Sequence, residues 1–550
     1  MNVGSLLSES AAHHGGHVAL RYGNRETTYA ETEARVNSLA AALLDLGASR
    51  GDRVAFLAWN RPEIIEVMFA TFKLGLVLVP LNPRYTAEEV AYHLNDPRVT
   101  FVFHGPGFEG VVADAVAQAP SVRHVIGFAD ARADVAVAHH GHEQLIALRP
   151  RVGDMAVDVE PDDVCWLFYT SGTTGRPKGA MLTHANLLFV VVVWVADLTA
   201  LTPDDVTLHV APLTHGAGFH ALAAVAKGST QVIPEPPSVT TAETVRLLVD
   251  EGVTNTWMVP TQVVRLVAEL AQSPTDLSRL TSIVYGGAPF HLDDLKHAVA
   301  VLGTRLVQLF GQGETPMTAT YLRHGEHRLG DPVVEARLAS AGHARTGMQV
   351  RVVDESGQPA PEGVAGEIVV RGPAVMKGYW DRPEATAEAL RDGWLHTGDV
   401  GALREGYLYV LDRMKDLIIS GGSNVYAREV EEVLLEHPDV SEVAVIGLPD
   451  RDWGERVVAV VVPRAGASGP HGIPTPPLDA SPPKPTSGDG VPAPELTSEL
   501  MARCREHLAS YKRPKQYELV DELPRSPYGK VLKRQLRDRL SQSAASSLKA

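Results

Sequence analysis

Hydrophobic positions follow two alternating periods along most of the chain. Short β-branched runs read as strands: RVAFLAW (Arg53 to Trp59), VTFVFH (Val99 to His104), VTLHVA (Val206 to Ala211) and RLVQLF (Arg305 to Phe310). They alternate with stretches such as TYAETEARVNSLAAALLDLG, in which apolar residues recur at helical spacing. Strand and helix in turn predict layered α/β units. From Val350 the texture changes to closely spaced strands with Gly/Pro turns (VRVVDESGQPAPEGVAGEIVVRG, then YLYVLDR), which predicts a small antiparallel barrel or sheet. A further unit begins near Asp416, with a helix in YAREVEEVLLEHP and strands in VSEVAVIGLPD and RVVAVVVP. From Arg464 to Pro494, Pro, Gly, Ser and Ala dominate. Such a stretch buries too little apolar surface to offset its ordering entropy, so it reads as a disordered insertion within the last domain.

Composition narrows the class. With 550 residues, 45% of them hydrophobic, the chain can build several cores, and its net charge of −16 argues against nucleic acid or an anionic membrane as a general partner. An anionic ligand therefore needs a local positive site. The two cysteines, Cys165 and Cys504, stand far apart and outside any metal-ligand spacing, which predicts free thiols and a cytoplasmic setting. The start, MNVGSLLSESAAHHGGHVAL, lacks the basic and apolar regions of a signal peptide. The apolar run LLFVVVVWVADL from Leu187 is shorter than the roughly 20 residues that span a bilayer, and reads as a buried helix.

One stretch carries chemistry. WLFYT has the pattern of a buried strand and runs directly into SGTTGRPKG, after which GAMLTH resumes a strand before the helix signal THANLL. Glycines let backbone N–H groups converge, hydroxyls add donors that rotate, and Lys178 supplies a point charge; together these make a nest for phosphate oxygens. The spacing is not GxxxxGK[ST] and the next element is a strand, so this is no Walker loop.

TSGTTGRPKG resembles the signature of the adenylate-forming superfamily, which contains acyl-CoA synthetases, luciferases and peptide-synthetase adenylation domains. Further segments match in order along the whole chain, and the resemblance implies a role for each. Thr170, Ser171, Gly172, Thr173, Thr174, Gly175 and Lys178 would hold the β and γ phosphates of ATP. In APLTHGAG, His215 resembles the histidine beside the substrate carboxylate. In YGGAPF, Gly286, Gly287, Ala288 and Pro289 would flank the acyl and adenine sites. In LFGQGETPM, Phe310 would stack on adenine, Gly311, Gln312 and Gly313 would line the nucleotide, and Glu314 would bind Mg²⁺. Phe310 replaces the usual tyrosine and Gly313 the usual threonine, so the supporting hydroxyl is missing or is supplied by Thr315. Asp399 in WLHTGDVG would accept from both ribose hydroxyls. In LYVLDRMKDLIISGGSNVYAREVE, Arg413 would contact the nucleotide and Lys415 would act as a hinge; Ala427 stands where proline is usual. In LPRSPYGKVLKRQL, Lys530 fits the catalytic lysine, with Tyr528 a departure, while Lys533 and Arg534 read as part of a solvated terminal helix.

The expected fold is α/β. An adenylation domain over residues 1–414, with several α/β subdomains and a small β-barrel, precedes a smaller mobile α+β domain over residues 415–550, and the active site lies between them. The resemblance implies an AMP-forming acid–thiol ligase. A carboxylate, fatty or aryl, attacks the α-phosphate of ATP with Mg²⁺ present, and coenzyme A then takes the acyl group from the adenylate. The alternative is an adenylating enzyme with another acceptor, such as a diazotase that activates nitrite for an aryl amine. A homo-oligomer is compatible with the sequence. Phe219 and Trp257 are candidate walls of the acid pocket.

Two decoys accompany these motifs. GPGFEG (Gly105 to Gly110) satisfies GxGxxG after a strand, with Asp130 further on, but Pro106 restricts the turn and the chain offers no compatible second half. HHGHE, with His139, His140 and His142, could bind a metal, yet it reads as a solvated loop without supporting ligands.

Overall fold

The computed structural model describes residues 1–150, 153–170, 176–235, 239–420, 423–450, 453–464, 493–525 and 531–547. The chain divides into two compact units. One comprises Met1–Arg351, Val369–Thr397 and Leu403–Tyr409, the other Val352–Ile368, Gly398–Ala402 and Val410–Ala550.

Two sheets organise the first unit. A seven-stranded sheet runs in the order Ala138–Gly141, His124–Gly127, Phe101–His104, Arg53–Leu57, Val77–Leu81, Val164–Thr170, Lys178–Thr183. All neighbours are parallel except the last pair. A nine-stranded sheet carries six successive parallel strands at Leu306–Phe310, Ser282–Tyr285, Asn255–Met258, Val206–Leu208, Thr230–Val232 and Val18–Tyr22. Helices cover these strands, which explains why runs such as VAFL and VLVPL are apolar on both faces. Thr28 with Glu31, Thr86 with Glu89 and Thr240 with Glu243 form reciprocal capping boxes that start three of the helices.

The edge strand Lys178–Thr183 is not left open. The Met181 N–H donates to Gly378 O at 2.8 Å, Lys377 N–H to Met181 O at 2.9 Å and Trp380 N–H to Gly179 O at 2.8 Å. The segment Lys377–Trp380 therefore seals the outer side of the hairpin made by Val164–Thr170 and Lys178–Thr183.

In the second unit a sheet runs in the order Ser423–Val425, Ile418–Ser420, Gly454–Pro463, Val440–Asp450, and Gln516–Leu519 pairs in parallel with Gly454–Pro463. Alternate residues of the central strands serve two cores. Val443, Val445, Val457, Ala459 and Val461 pack with Leu434, Leu496 and Leu500, whereas Ala444, Ile446, Val458 and Val460 pack with Leu536. The expected insertion, Arg464 to Pro494, lies outside the described residues but for its ends.

Three expectations change. His139 and His140 belong to a strand and His142, fully buried, opens a helix, so HHGHE is no solvated loop. It is an element because its residues pair with His124–Gly127. Lys533 does open a terminal helix, Lys533–Ser547, but its ammonium is turned inward onto Glu431 at 2.7 Å, while Arg534 remains exposed. The sequence gives no hint of that acid partner 102 positions earlier. LLFVVVVWVADL forms the helix His184–Val193 and a wider turn, Trp194–Leu198, but Val192 is 64% exposed. Both cysteines are free and buried. GPGFEG does sit between a strand and a helix, yet a side chain at Gly107 or Gly110 would meet open space, so close packing does not require those glycines. Among the described residues no helix is long and apolar enough to cross a membrane.

Candidate active site

The phosphate-loop motif sits at a hairpin. Strands Val164–Thr170 and Lys178–Thr183 pair antiparallel, with Thr170 opposite Lys178. Ser171, Gly172, Thr173, Thr174 and Gly175 lie outside the described residues, so the hairpin is fixed by its two flanks. Thr170 Oγ1 donates to Glu314 Oε1 at 2.8 Å, and the Tyr379 hydroxyl donates to the same oxygen at 2.8 Å. Burial, and then the Glu314 charge, push the Tyr379 phenol well above its ordinary pKa, so it stays protonated and able to donate. Lys178 Nζ lies 5.0 Å from the centre of the Tyr379 ring. Tyr379 was not singled out from the sequence; its only local signal is an aromatic pair after glycine in KGYW.

The remaining first-unit candidates stand at carboxyl ends of parallel strands of the nine-stranded sheet, where open α/β sheets bind ligands. Gly286, Gly287, Ala288 and Pro289 come directly after Ser282–Tyr285, and the last three are exposed. Gly287 needs its glycine backbone, with φ at +79°. Phe310 closes Leu306–Phe310, and Gly311, Gln312, Gly313 and Glu314 come next. The turn is held by Gln312, whose side-chain amide donates to Thr397 O at 2.8 Å. Thr315 is buried, and its hydroxyl accepts from the Gln312 N–H at 3.3 Å.

The missing threonine at position 313 has a steric reason. A Cβ on Gly313 would lie 2.4 Å from Phe168 Cδ1 and 2.6 Å from Thr170 Cγ2. Phe168 in turn meets His215 edge-on, with ring centroids 4.8 Å apart. His215 directly precedes the helix Gly216–Ala226. A Cβ on Gly216 would touch Met317 at 2.6 Å and Trp257 Cζ2 at 2.9 Å. Met317 itself holds a left-handed backbone, φ +56°, a strained conformation for a non-glycine residue. Thus Thr170, Phe168, His215, Trp257, Gly313 and Glu314 form one connected neighbourhood, and Phe219, fully buried against Trp166 and Phe168, backs it from the core.

In the second unit Asp399, 5% exposed, lies 3.4 Å from Arg413 Nε. Lys415 is in the short turn Met414–Asp416. Lys530 and Tyr528 lie outside the described residues. Within the same unit, Lys533 is ringed by acids: burial alone would lower its pKa, but Glu431 and Asp412 raise it above the ordinary lysine value. Asp412 is itself pushed up by burial.

Residues 7–380 match the sequence profile of AMP-binding enzymes, and residues 429–530 match that of the AMP-binding enzyme C-terminal domain. A feruloyl-CoA synthase from Amycolatopsis sp. is 39% identical over 527 residues, 95% of each chain. A medium/long-chain fatty acid–CoA ligase from Mycobacterium tuberculosis is 32% identical, covering 98% of this chain and 90% of that protein. The structure of o-succinylbenzoate CoA synthetase from Bacillus subtilis, in complex with its acyl-adenylate intermediate, superposes with a TM-score of 0.80 at 29% identity, covering 97% of this chain and 98% of that one.

Proposed function

The chain belongs to the AMP-binding enzyme family, and from that premise we propose that it is an ATP-dependent carboxylic acid:CoA ligase that works through an acyl-adenylate. The observation that carries the site assignment is the hydrogen bond from Thr170 to Glu314, which joins the flank of the phosphate loop to the acid after Phe310.

In the first half-reaction a carboxylate oxygen attacks the α-phosphorus of ATP. The bond from that phosphorus to the bridging oxygen breaks, and pyrophosphate leaves. Two anions must approach, so catalysis consists mainly of positioning and charge compensation. Lys178 and the hydroxyls of the Thr170–Gly175 loop hold the β and γ phosphates, Phe310 and Gly311 face the adenine, and Asp399 accepts from the ribose hydroxyls. His215 lies beside the carboxylate, and Lys530 offsets the charge that develops between the reacting oxygens.

Glu314 suits Mg²⁺. It is a buried carboxylate whose described partners are two neutral hydroxyls on one oxygen, so no described cation neutralises it. A bound Mg²⁺ would supply charge compensation to the phosphate oxygens. In the second half-reaction the sulfur of coenzyme A attacks the acyl carbon, the bond to the phosphate oxygen breaks, AMP leaves and the thiol proton passes to solvent. Lys415 serves as the hinge between the two half-reactions.

Incubation with ATP, CoA and a panel of fatty and aryl acids tests the reading. The expected result is thioester and AMP in equal amounts, with pyrophosphate exchange in the absence of CoA. AMP release without thioester would instead assign a different acceptor.

A further inference from the structure

Two hydroxyls reach one oxygen of Glu314, that of Thr170 from the end of a hairpin strand and that of Tyr379 from the segment along the hairpin's edge. Both arms are tied to one carboxylate that does not itself touch Glu314. The helix Ala87–Asn95 is capped by Asp96, whose side chain is 7% exposed. Asp96 Oδ2 accepts from the hydroxyl of Tyr169, the neighbour of Thr170, at 2.8 Å. Asp96 Oδ1 accepts from the guanidinium of Arg382, three residues after Tyr379. One turn earlier on the same helix face, the Tyr92 hydroxyl donates to Pro177 O at 2.7 Å, and Arg382 bonds that hydroxyl as well. One helix end therefore grips both feet of the hairpin loop and the segment that delivers Tyr379.

Holding these pieces together does not by itself call for an ion. A carboxylate taken out of water is costly, and apolar packing of similar volume would join the same elements. What the carboxylate adds is direction, because its two oxygens fix two donors at a set separation. Tyr169 reaches Asp96 by laying its ring across Gly179 on the paired strand, where a Cβ would lie 3.1 Å from Tyr169 Cζ. Burial, and then the Asp96 charge, raise the Tyr169 phenol far above its ordinary pKa, so it remains a donor.

We propose that Asp96 is a positioning residue for adenylation: by holding Tyr169 with one oxygen and Arg382 with the other, it sets the spacing of the two hydroxyls that donate to Glu314. This rests on the ligase reading above. Without the Asp96 charge, Arg382 is released, Tyr379 shifts relative to Thr170, and Glu314 loses its fixed orientation. A displacement of about 1 Å near the reacting groups can cost about 100-fold in rate. Acyl transfer to CoA follows the departure of pyrophosphate and uses none of these contacts.

The test compares the half-reactions in Asp96→Asn, Arg382→Gln and the double variant, with the fatty or aryl acid that the parent protein activates best. Asp96→Asn still offers Tyr169 an acceptor but turns an amide toward Arg382. ATP–pyrophosphate exchange at saturating substrates should fall about 10- to 100-fold in each single variant. Thioester formation from the presynthesised acyl-adenylate and CoA should stay within about 3-fold of the parent, a split that general damage to the fold would not give. The double variant should be no slower than the slower single one, since both changes remove the same contact. Exchange at the parental rate in Asp96→Asn, or equal loss of both half-reactions in both single variants, overturns the proposal. Should Asp96→Asn not fold, Arg382→Gln, at a partly exposed position, decides by the same split. A parent protein that exchanges pyrophosphate with no acid of the panel would instead sink the ligase reading, before any variant is compared.

Discussion

Thr170 and Glu314, 144 residues apart in sequence, meet through a 2.8 Å hydrogen bond that also fixes which oxygen of the carboxylate faces the phosphate-loop hairpin. Glu314→Gln keeps an oxygen that can accept from Thr170 and Tyr379 but removes the negative charge. Pyrophosphate exchange should fall about 100- to 1,000-fold while the thermal midpoint stays close to that of the parent. Exchange at the parental rate would mean that the charge is not used.

Gly313 is crowded by Phe168 and Thr170, so restoring the family's threonine should hurt. Gly313→Thr is expected to cost about 1–3 kcal/mol by overpacking, read as a lower denaturation midpoint. Adding Phe168→Ala should recover part of that loss, because the two side chains compete for the same space. If the two changes are simply additive, the close approach of Gly313 to Phe168 is not the cause.

Lys530→Ala separates the half-reactions. Adenylation should drop at least about 100-fold, whereas thioester formation from a presynthesised acyl-adenylate and CoA should persist. Equal loss of both would assign Lys530 another role.

Four buried histidines set a pH limit. Burial lowers the pKa of His184, His209 and His327 to about 4 and that of His220 to about 3. The folded protein keeps them neutral, while the unfolded chain takes up protons below its ordinary histidine pKa near 6.5. Their contribution is therefore undiminished above pH 6.5 and erodes as pH falls toward about 4, each by up to about 1.4 kcal/mol per pH unit. Urea unfolding at pH 7.5, 6 and 5 should show a falling free energy. A flat profile over that range would show that these rings ionise within the fold.

The sequence made the strands, the hairpin around the phosphate loop and the acid after Phe310 legible, because each depends on local pattern or on a contiguous motif. Tyr379 was hidden, since its role comes from a segment that joins a sheet edge far from it in the chain. Lys533 was misread for a related reason: amphipathic periodicity says which face a lysine occupies, not that Glu431 waits beneath it. The HHGHE stretch lacks β-branched residues and is recruited as a strand only by its neighbour, a tertiary effect that propensity does not carry.

The Lys377–Trp380 segment closes the last strand of the seven-stranded sheet and, in the same few residues, brings a phenol to Glu314. Solubility and turnover are thereby tied to one piece of chain. A protease cut or insertion there would bare a row of unpaired amides and carbonyls able to recruit another molecule, so aggregation and loss of activity would arrive together.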